Sequence, residues 1–499
     1  MKLARKSTVL FAIILLGLLG GALRIYQLDR ESLWLDEGAS IKIARMNLVP
    51  ALKQSAVESY VPAYNALLHF WIKIFGDSSE SVRMLSVIFG TLAIFAIFGV
   101  GREWFGPETG LLASLLLAGS TFNIKYSQET RSYTLAVFLT LLSYYFLRRL
   151  RTREKESAEV SGRGKLLPCA YLAINILLIF SHPFGVFIIL AQNLYFFSLK
   201  ILALKQMSWP VKKWLLVQSP LFVVILAWII IMAGTSQTNQ GVFWIPRPEP
   251  ISLYLTLWHQ AGSLQLLRLF GLLAILSLLT IGSRAGTPEA GPGLWNKFPL
   301  RFQIKNPESV FAILLWLIVP ILTPFVFSRH FTPIFHIRYT ILASPALYLI
   351  TAQGICNLKY RFLKWPVAAL VLALSLLSAR GYFSTIYKTQ WREAVSFLEK
   401  NAHPGDLVIF HQGYTLPNIY DYYSKRSDLV KAPFPNLEGE VNSENISQLD
   451  QLIQGHDRVW VIISHSLGDE VLLLQKLDRS CSQIYQKTFF GIEVYLCHK

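Results

Sequence analysis

The 499-residue sequence is poor in charged residues and in cysteine. Only 15% of its residues are Asp, Glu, Lys or Arg, whereas 53% are hydrophobic and the mean hydropathy is +0.42. Soluble domains carry about 25% charged residues, so this composition excludes an ordinary soluble enzyme. It also excludes a disordered chain, which requires low hydrophobicity. Four cysteines are too few for a disulfide scaffold or a cysteine metal cluster. No P-loop, GxGxxG, GxSxG or HExxH motif occurs in a suitable context, so the sequence shows no machinery for nucleotide hydrolysis.

Long apolar runs are present instead. A helix needs about 20 apolar residues to cross the hydrocarbon core of a bilayer, and such runs are helical because the backbone must satisfy its own hydrogen bonds in lipid. A shorter run at 61–75 contains His69 and Lys73 and is predicted to be interfacial or re-entrant. The sequence therefore predicts an α-helical polytopic membrane protein with eleven spans, at about 8–26, 83–101, 108–123, 131–150, 166–182, 184–204, 214–234, 263–283, 310–328, 338–356 and 365–383.

The distribution of basic residues predicts the orientation of these spans. If the N-terminus is cytoplasmic and 61–75 does not cross, the basic segments 148–165 and 284–305 both lie inside, as the positive-inside rule prefers. The net charge of +17 then reflects cytoplasmic loops and requires no nucleic-acid partner. In this orientation, the predicted external segments are the loop 27–82, the segments 123–133, 235–262 and 329–339, and the tail from about 384.

The tail has a different character from the rest of the chain. Short β-branched runs at 407–410 and 459–463 alternate with helical patterns at 391–402 and 468–477, which predicts a small α/β domain. The predicted domains are therefore a membrane domain at 1–383 and an extracytoplasmic domain at 384–499. Cys481 and Cys497 flank a predicted hairpin. Their spacing leaves open whether they form a disulfide in an oxidising compartment.

Two adjacent carboxylates, Asp36 and Glu37, follow the first predicted span in the stretch RESLWLDEGASIKIAR. Adjacent side chains cannot share one helix face, so we expect the two to have different partners. A carboxylate at a membrane surface can act as a general base or bind a divalent metal. The alternative is an N-cap or a solvated surface pair.

Three arginines lie at external helix ends, where the positive-inside rule disfavours them: Arg83, Arg131 and Arg338. One explanation is that their side chains extend to lipid headgroups. The other is bidentate binding of a phosphate at the membrane surface. A lipid-linked phosphate is the ligand class that the second explanation predicts, because its tail can lie between helices.

At these residues the chain resembles the membrane-embedded GT-C glycosyltransferases. WLDEG at 34–38 resembles their acidic motif, and the nearest likeness is to the protein O-mannosyltransferases (glycosyltransferase family 39) and the lipid A aminoarabinose transferases. The remaining similar segments follow in the family's order up to about residue 425: 75–106, KYSQETRSYTLAVFLTLL at 125–142, SHPFGVFIILAQN at 181–193, IRYTILASPALYL at 337–349, and 391–410.

This resemblance implies an inverting transfer from a polyprenyl-phosphate sugar to an unidentified protein, lipid or glycan acceptor, on the extracytoplasmic face of the cell membrane. It implies that Asp36 is the catalytic carboxylate, acting as a base or positioning a divalent metal, with Glu37 in support. Arg83 and Arg131 would bind the donor phosphate, and Arg338 is a further candidate. Many members carry His-Pro-Pro or Glu-Lys-Pro-Pro at the place where this chain reads YVPAY at 60–64, so a polar metal ligand is missing there.

Two other functions compete with a sugar transferase. A transporter or flippase of lipid-linked intermediates would show internal repeats or polar residues near the middle of its spans, and neither stands out in the sequence. A polymerase or ligase of surface polysaccharide is poorly distinguished from a transferase by sequence alone.

Overall fold

The computed structural model describes residues 2–59, 61–153, 163–201, 210–236, 245–278, 280–283, 300–303, 306–436, 441–464 and 469–499. The chain forms two compact units. The first consists of Met1–Tyr26, Leu52–Leu67 and Arg83–Ser384, and the second of Gln27–Ala51, Leu68–Val82 and Thr385–Lys499. The predicted external loop 27–82 therefore contributes residues to both units.

Most of the chain is helical. The helices are α1 (Lys2–Ile25), α2 (Leu35–Arg45), α3 (Leu48–Gln54), α4 (Pro62–Phe75), α5 (Ser79–Trp104), α6 (Pro107–Gly119), α7 (Thr121–Ser127), α8 (Tyr133–Arg153), α9 (Arg163–Ser181), α10 (Gly185–Ile201), α11 (Val211–Ser236), α12 (Ile251–Ala261), α13 (Leu264–Leu278), α14 (Pro307–His330), α15 (Ser344–Asn357), α16 (Arg361–Ser384), α17 (Trp391–Asn401), α18 (Asp421–Tyr423), α19 (Gln448–Ile453) and α20 (Glu470–Ser480). The π-helical turns are Ser55–Ser59 and Leu416–Tyr420, and a 3-10 helix covers Ile337–Ala343. The strands are β1 (Thr280–Ser283), β2 (Leu300–Gln303), β3 (Leu407–His411), β4 (Val430–Phe434), β5 (Arg458–Ser464), β6 (Gln483–Phe489) and β7 (Ile492–His498).

The first unit carries the membrane-spanning helices. Among the described residues, six helical segments are long and apolar enough to cross a bilayer: Ser7–Ile25, Ser79–Trp104, Val211–Ile231, Pro307–His330, Ile337–Asn357 and Phe362–Ser384. Helices α12 and α13, which are bent by 93° at their junction, would add a seventh if they form one broken span. The chain is therefore a multi-pass α-helical membrane protein, as predicted.

Each of the eleven predicted spans contains a helix, but several of these helices are short, so the number that cross stays a prediction. Helix α4 has 14 residues and is about 21 Å long at 1.5 Å per residue, less than the roughly 30 Å of a hydrocarbon core. Its length agrees with a segment that does not cross. Residues 154–162 and 284–299 of the predicted cytoplasmic loops, and position 60 of the YVPAY stretch, lie outside the described residues.

Close backbone contact and buried polar groups join the helices of the first unit. A Cβ on Gly354 of α15 would lie 1.9 Å from the carbonyl oxygen of Leu273 in α13, so a glycine is required for this approach. The Tyr171 hydroxyl donates to Gln192 over 2.5 Å, and the Gln192 amide donates to Ser143 over 2.8 Å. These bonds link α8, α9 and α10. Small residues and interhelical hydrogen bonds are the usual means of helix association in a bilayer.

The second unit contains a five-stranded sheet in the order β4-β3-β5-β7-β6. Strand β3 pairs in parallel with β4 and β5, and β7 pairs antiparallel with β5 and β6. One face packs against α19 and α20 in a core that includes Ile409, Val461 and Leu473. On the other face, the rings of Phe410 and Trp460 contact Tyr420 and Phe397. Both faces are covered, as is usual for parallel strands, and the predicted α/β domain is confirmed.

The predicted hairpin is formed by β6 and β7. Its register places Ile484 opposite Cys497, and Cys481 lies just before β6. Cys481 and Cys497 form a disulfide, with their Cα atoms 5.5 Å apart. The structure thereby decides the pairing that the sequence left open.

Candidate active site

The acidic pair lies in the first turn of α2, which belongs to the second unit. Carboxylates are favourable at this position because the helix N-terminus carries partial positive charge. The two side chains have different environments: Asp36 is partly exposed and Glu37 is fully buried. Glu37 Oε2 accepts a hydrogen bond from the backbone N–H of Trp34 over 3.3 Å and from Lys388 Nζ over 2.9 Å. Glu37 is therefore held by the protein, whereas Asp36 has access to solvent.

Helix α2 packs against the segment that follows β3. A Cβ on Gly38 would lie 2.0 Å from the carbonyl oxygen of Asn418, in the π-helical turn Leu416–Tyr420. Lys42 Nζ donates to Asn418 Oδ1 over 3.3 Å. Burial raises the pKa of the Tyr414 hydroxyl, and the negative charge of Asp36 raises it further. The turn after β3 thus packs against the helix that carries Asp36, and Tyr414 lies near enough for the charge of Asp36 to raise its pKa. Tyr414 is not among the residues predicted from the sequence, which offers no signal for it.

The three arginines belong to the first unit, and the structure connects two of them through α5. Arg83, at 1% exposure, lies one helical turn before Ser86 on α5. Residues three apart share a helix face. The Ser86 hydroxyl donates to the backbone carbonyl of Arg131 over 3.1 Å, and Thr134 Oγ1 donates to the Ser86 carbonyl over 2.9 Å. The start of α8 is therefore fixed beside the face of α5 that carries Arg83.

The segments that carry Arg131 and Arg338 meet at His182, in the connection between α9 and α10. The guanidinium carbon of Arg338 lies 5.4 Å from the centre of the Tyr339 ring, and Arg131 lies two residues before Tyr133. The His182 ring lies 5.3 Å from that of Tyr339 and 5.8 Å from that of Tyr133. His182 Nδ1 accepts the backbone N–H of Phe184 over 3.1 Å. The imidazole is therefore neutral with its proton on Nε2, and it offers a hydrogen-bond donor in this cluster.

The segment between α7 and α8 adds an acidic residue that the sequence analysis did not single out. Gln128 Nε2 donates to the carbonyls of Arg24 and Tyr26 over 3.0 and 2.8 Å, which anchors the segment. Glu129 is buried at 3% exposure. Burial raises the pKa of Tyr126, the charge of Glu129 raises it further, and Arg338 lowers it. The charges of Glu129 and Arg338 therefore both act on Tyr126. The signal that could have identified Glu129 is a carboxylate two positions before Arg131.

The structure thus brings together the segments that carry Arg131 and Arg338, and Arg83 lies on the face of α5 whose Ser86 contacts the Arg131 backbone. Arg83 and Arg338 are buried, at 1% and 8% exposure, which does not fit side chains that extend to lipid headgroups. Asp36 and Glu37 belong to the other unit.

Within the described part of the chain, no three His, Cys, Asp or Glu side chains are grouped to hold a metal ion. The predicted divalent metal has Asp36 as a single candidate ligand.

Comparison with known proteins gives the fold a name. A sequence profile described as dolichyl-phosphate-mannose-protein mannosyltransferase matches residues 59–233. The crystal structure of ArnT from Cupriavidus metallidurans in the apo state superposes with a TM-score of 0.62 at 12% identity, and the match covers 99% of this chain and 98% of ArnT. ArnT bound to undecaprenyl phosphate gives a TM-score of 0.59 at 13% identity, covering 97% of both chains.

The chain has the same fold as ArnT. The Archaeoglobus fulgidus oligosaccharyltransferase, in a complex with Zn and sulfate, is also similar, with a TM-score of 0.55 at 14% identity over 90% of this chain and 67% of the other. No curated protein matches by sequence. The likeness to ArnT therefore extends over nearly the whole length of the chain, and the profile match lies within its first half.

Proposed function

We propose that this protein is an inverting glycosyltransferase that moves a sugar from a polyprenyl-phosphate donor to an acceptor at the extracytoplasmic face of the cell membrane. The observation that carries the proposal is a GT-C fold with a partly exposed carboxylate, Asp36, in the first turn of α2. Undecaprenyl phosphate bound to ArnT, a protein of the same fold, supports a lipid-phosphate donor. In this proposal the N-terminus is cytoplasmic, and the α/β domain is outside.

In the proposed reaction, Asp36 removes a proton from the acceptor's hydroxyl or amine group. The acceptor atom forms a bond to the anomeric carbon of the sugar as the bond from that carbon to the phosphate oxygen breaks. The electron pair of the broken bond leaves with the polyprenyl phosphate. A positioned general base contributes about 10²–10⁴-fold to the rate of such a step.

The departing phosphate gains negative charge, so fixed cations and hydrogen-bond donors lower the barrier. Arg131 and Arg338 are the proposed phosphate ligands, and Arg83 is a third. The Nε2–H of neutral His182 is a further donor, and it adds no charge. No three His, Cys, Asp or Glu side chains are grouped to hold a metal among the described residues, and Asp36 is the residue that would hold a divalent metal if one binds. The Zn in the archaeal oligosaccharyltransferase structure makes added divalent metal a sensible assay condition.

The test is Asp36→Asn in the purified full chain. Wild-type and variant proteins are incubated with a panel of polyprenyl-phosphate sugars and membranes of the source organism as acceptor, and released polyprenyl phosphate is measured. We expect the rate to fall by at least about 10²-fold in the variant. Asp77→Asn is the matched control, because Asp77 is an exposed carboxylate paired with Arg45 over 2.7 Å.

Two results would contradict the proposal. One is full turnover by Asp36→Asn. The other is movement of the donor between leaflets with its sugar-phosphate bond intact, which is the result that a flippase would give. Transfer to a growing glycan would instead identify the acceptor class and distinguish a polymerase from a transferase that modifies protein or lipid.

A further inference from the structure

The segment that follows the last predicted span runs along the segment that precedes α2. Residues 387–393, the linker strap, and residues 29–37 both belong to the second unit. Contacts occur along the whole length of the strap: Tyr387 N–H to Glu31 at 2.7 Å, Lys388 Nζ to Glu37 at 2.9 Å, Arg392 Nη2 to Asp29 at 2.6 Å, and Ser32 Oγ to Glu393 at 2.7 Å. The entry to α2 is therefore tied at four places to a segment more than 350 residues away in sequence.

The pair formed by Lys388 and Glu37 differs in its burial from the strap's ion pair between Arg392 and Asp29. The side chains of Lys388 and Glu37 are 7% and 0% exposed, whereas those of Arg392 and Asp29 are 34% and 32% exposed. Removing two charges from water is costly, and a buried ion pair often contributes little net stability. What such a pair can provide is a defined geometry, because each charge has its most favourable position only beside the other.

The Glu37 carboxylate connects this geometry to the start of α2. Its Oε2 atom accepts both from Lys388 and from the Trp34 N–H, one of the donors that a helix N-terminus leaves without an intrahelical partner. Asp36 lies between Trp34 and Glu37 in sequence. The direction of its side chain is therefore set by the backbone of a turn whose position depends on the Glu37 carboxylate.

We propose that Lys388 is a positioning residue for Asp36, acting through Glu37. The inference rests on the proposed function, since it assigns Asp36 the role of base. Lys388 touches neither donor nor acceptor in this account. It fixes the first turn of α2 so that the Asp36 carboxylate reaches the acceptor proton at hydrogen-bond distance. A displacement of about 1 Å at a reacting group is enough to lower a rate by about 10²-fold.

The test compares Lys388→Met with wild type in the polyprenyl-phosphate release assay. We expect kcat to fall by about 10²-fold, while KM for the donor stays within about twofold. Lys388→Arg should restore most of the rate, because it keeps the charge and the donors. Arg45→Met is the matched control: it removes a cation from the last turn of the same helix, where the Arg45–Asp77 pair is 44% and 42% exposed, and we expect wild-type kinetics.

A double-mutant cycle separates positioning from general loss of structure. Lys388→Met leaves the Glu37 charge buried and can reduce the folded fraction, so Glu37→Gln/Lys388→Met removes both charges at once. We expect this double variant to elute as a monodisperse protein with a near wild-type thermal midpoint, and to show no larger loss of kcat than Glu37→Gln alone. Such coupling is what a shared role predicts.

Each outcome decides one question. Full turnover by Lys388→Met overturns the inference. A loss of rate that matches the loss of folded protein, or that Lys388→Arg does not restore, also overturns it, because the role would then be structural alone. Absence of polyprenyl-phosphate release by the wild-type protein with every donor would overturn the proposed function itself, and the inference with it.

Discussion

Replacing Gly38 by alanine tests whether the contact between α2 and the turn after β3 has the geometry described here. In a helix, alanine is normally favoured over glycine by about 1 kcal/mol, so the substitution would stabilise α2 if nothing stood in its way. The structure predicts the opposite effect. The added methyl carbon would lie 2.0 Å from the carbonyl oxygen of Asn418 and 3.0 Å from Ile419 Cδ1.

The size of the effect follows from that distance. Ordinary van der Waals contact begins at 3.4 Å, so the separation between α2 and Asn418 must increase by about 1.4 Å. Overpacking of this kind usually costs about 1–3 kcal/mol, which exceeds the gain in helix propensity. Because Asp36 lies two residues from Gly38 on α2, the displacement also moves the proposed base. We therefore expect Gly38→Ala to lose about 10²-fold in kcat.

Two assays check this prediction. The first measures the thermal midpoint of the second unit, with amide hydrogen exchange in α2 as the probe. The second measures polyprenyl-phosphate release. Gly271→Ala is the matched control, since Gly271 lies within α13 and nothing is within 4 Å of its added Cβ. We expect that control to be as stable as wild type or more stable, with unchanged turnover. A Gly38→Ala protein as stable and as active as wild type would refute the packing described here.

Two further predictions concern orientation and pH. After Cys169 and Cys356 are replaced by serine, cysteines introduced at Lys155 and Lys400 should react with an impermeant thiol reagent from opposite sides of the membrane; labelling of both from one side would contradict the proposed orientation. Burial lowers the pKa of His411, at the end of β3, although Glu470 raises it. The unfolded chain therefore binds a proton there more readily, and stability is lost as the pH falls below about 6.5. Hydrogen exchange of the β3 and β5 amides, corrected for intrinsic rates, should increase as the pH falls from 7.5 to 5.5 in the wild type. The increase should be smaller in His411→Gln. Equal increases in both proteins would show that His411 is not responsible.

Sequence patterns located the secondary structure well where the surroundings are uniform. A lipid or a sheet core demands apolar side chains along a whole segment, so composition alone indicated the helices α1, α5 and α14 and the strands β3 and β5. The hairpin bearing Cys481 and Cys497 was also predicted, because alternation and turn residues are local features.

Patterns were less informative where one helix breaks into two. The predicted span at 108–123 is divided between α6 and α7, and the predicted span at 263–283 begins with a sharp bend from α12. Arg24 stabilises the first break by donating to the carbonyls of Leu117 and Ala118 over 3.0 and 3.2 Å. A long-range side chain that satisfies the end of a helix leaves no trace in the periodicity of that helix.

By itself, the sequence determined that this protein is a multi-pass membrane protein with an α/β domain at its C-terminus, and that Asp36, Glu37 and the arginines 83, 131 and 338 were the residues to examine. Hydropathy and charge fix these points because they act residue by residue. Only the tertiary structure decided that Glu37 pairs with Lys388, that Gly38 makes room for Asn418, and that the segments carrying Arg131 and Arg338 meet at His182. These are contacts between residues far apart in sequence, and they exist only because packing brings separate segments to within a few ångströms of each other.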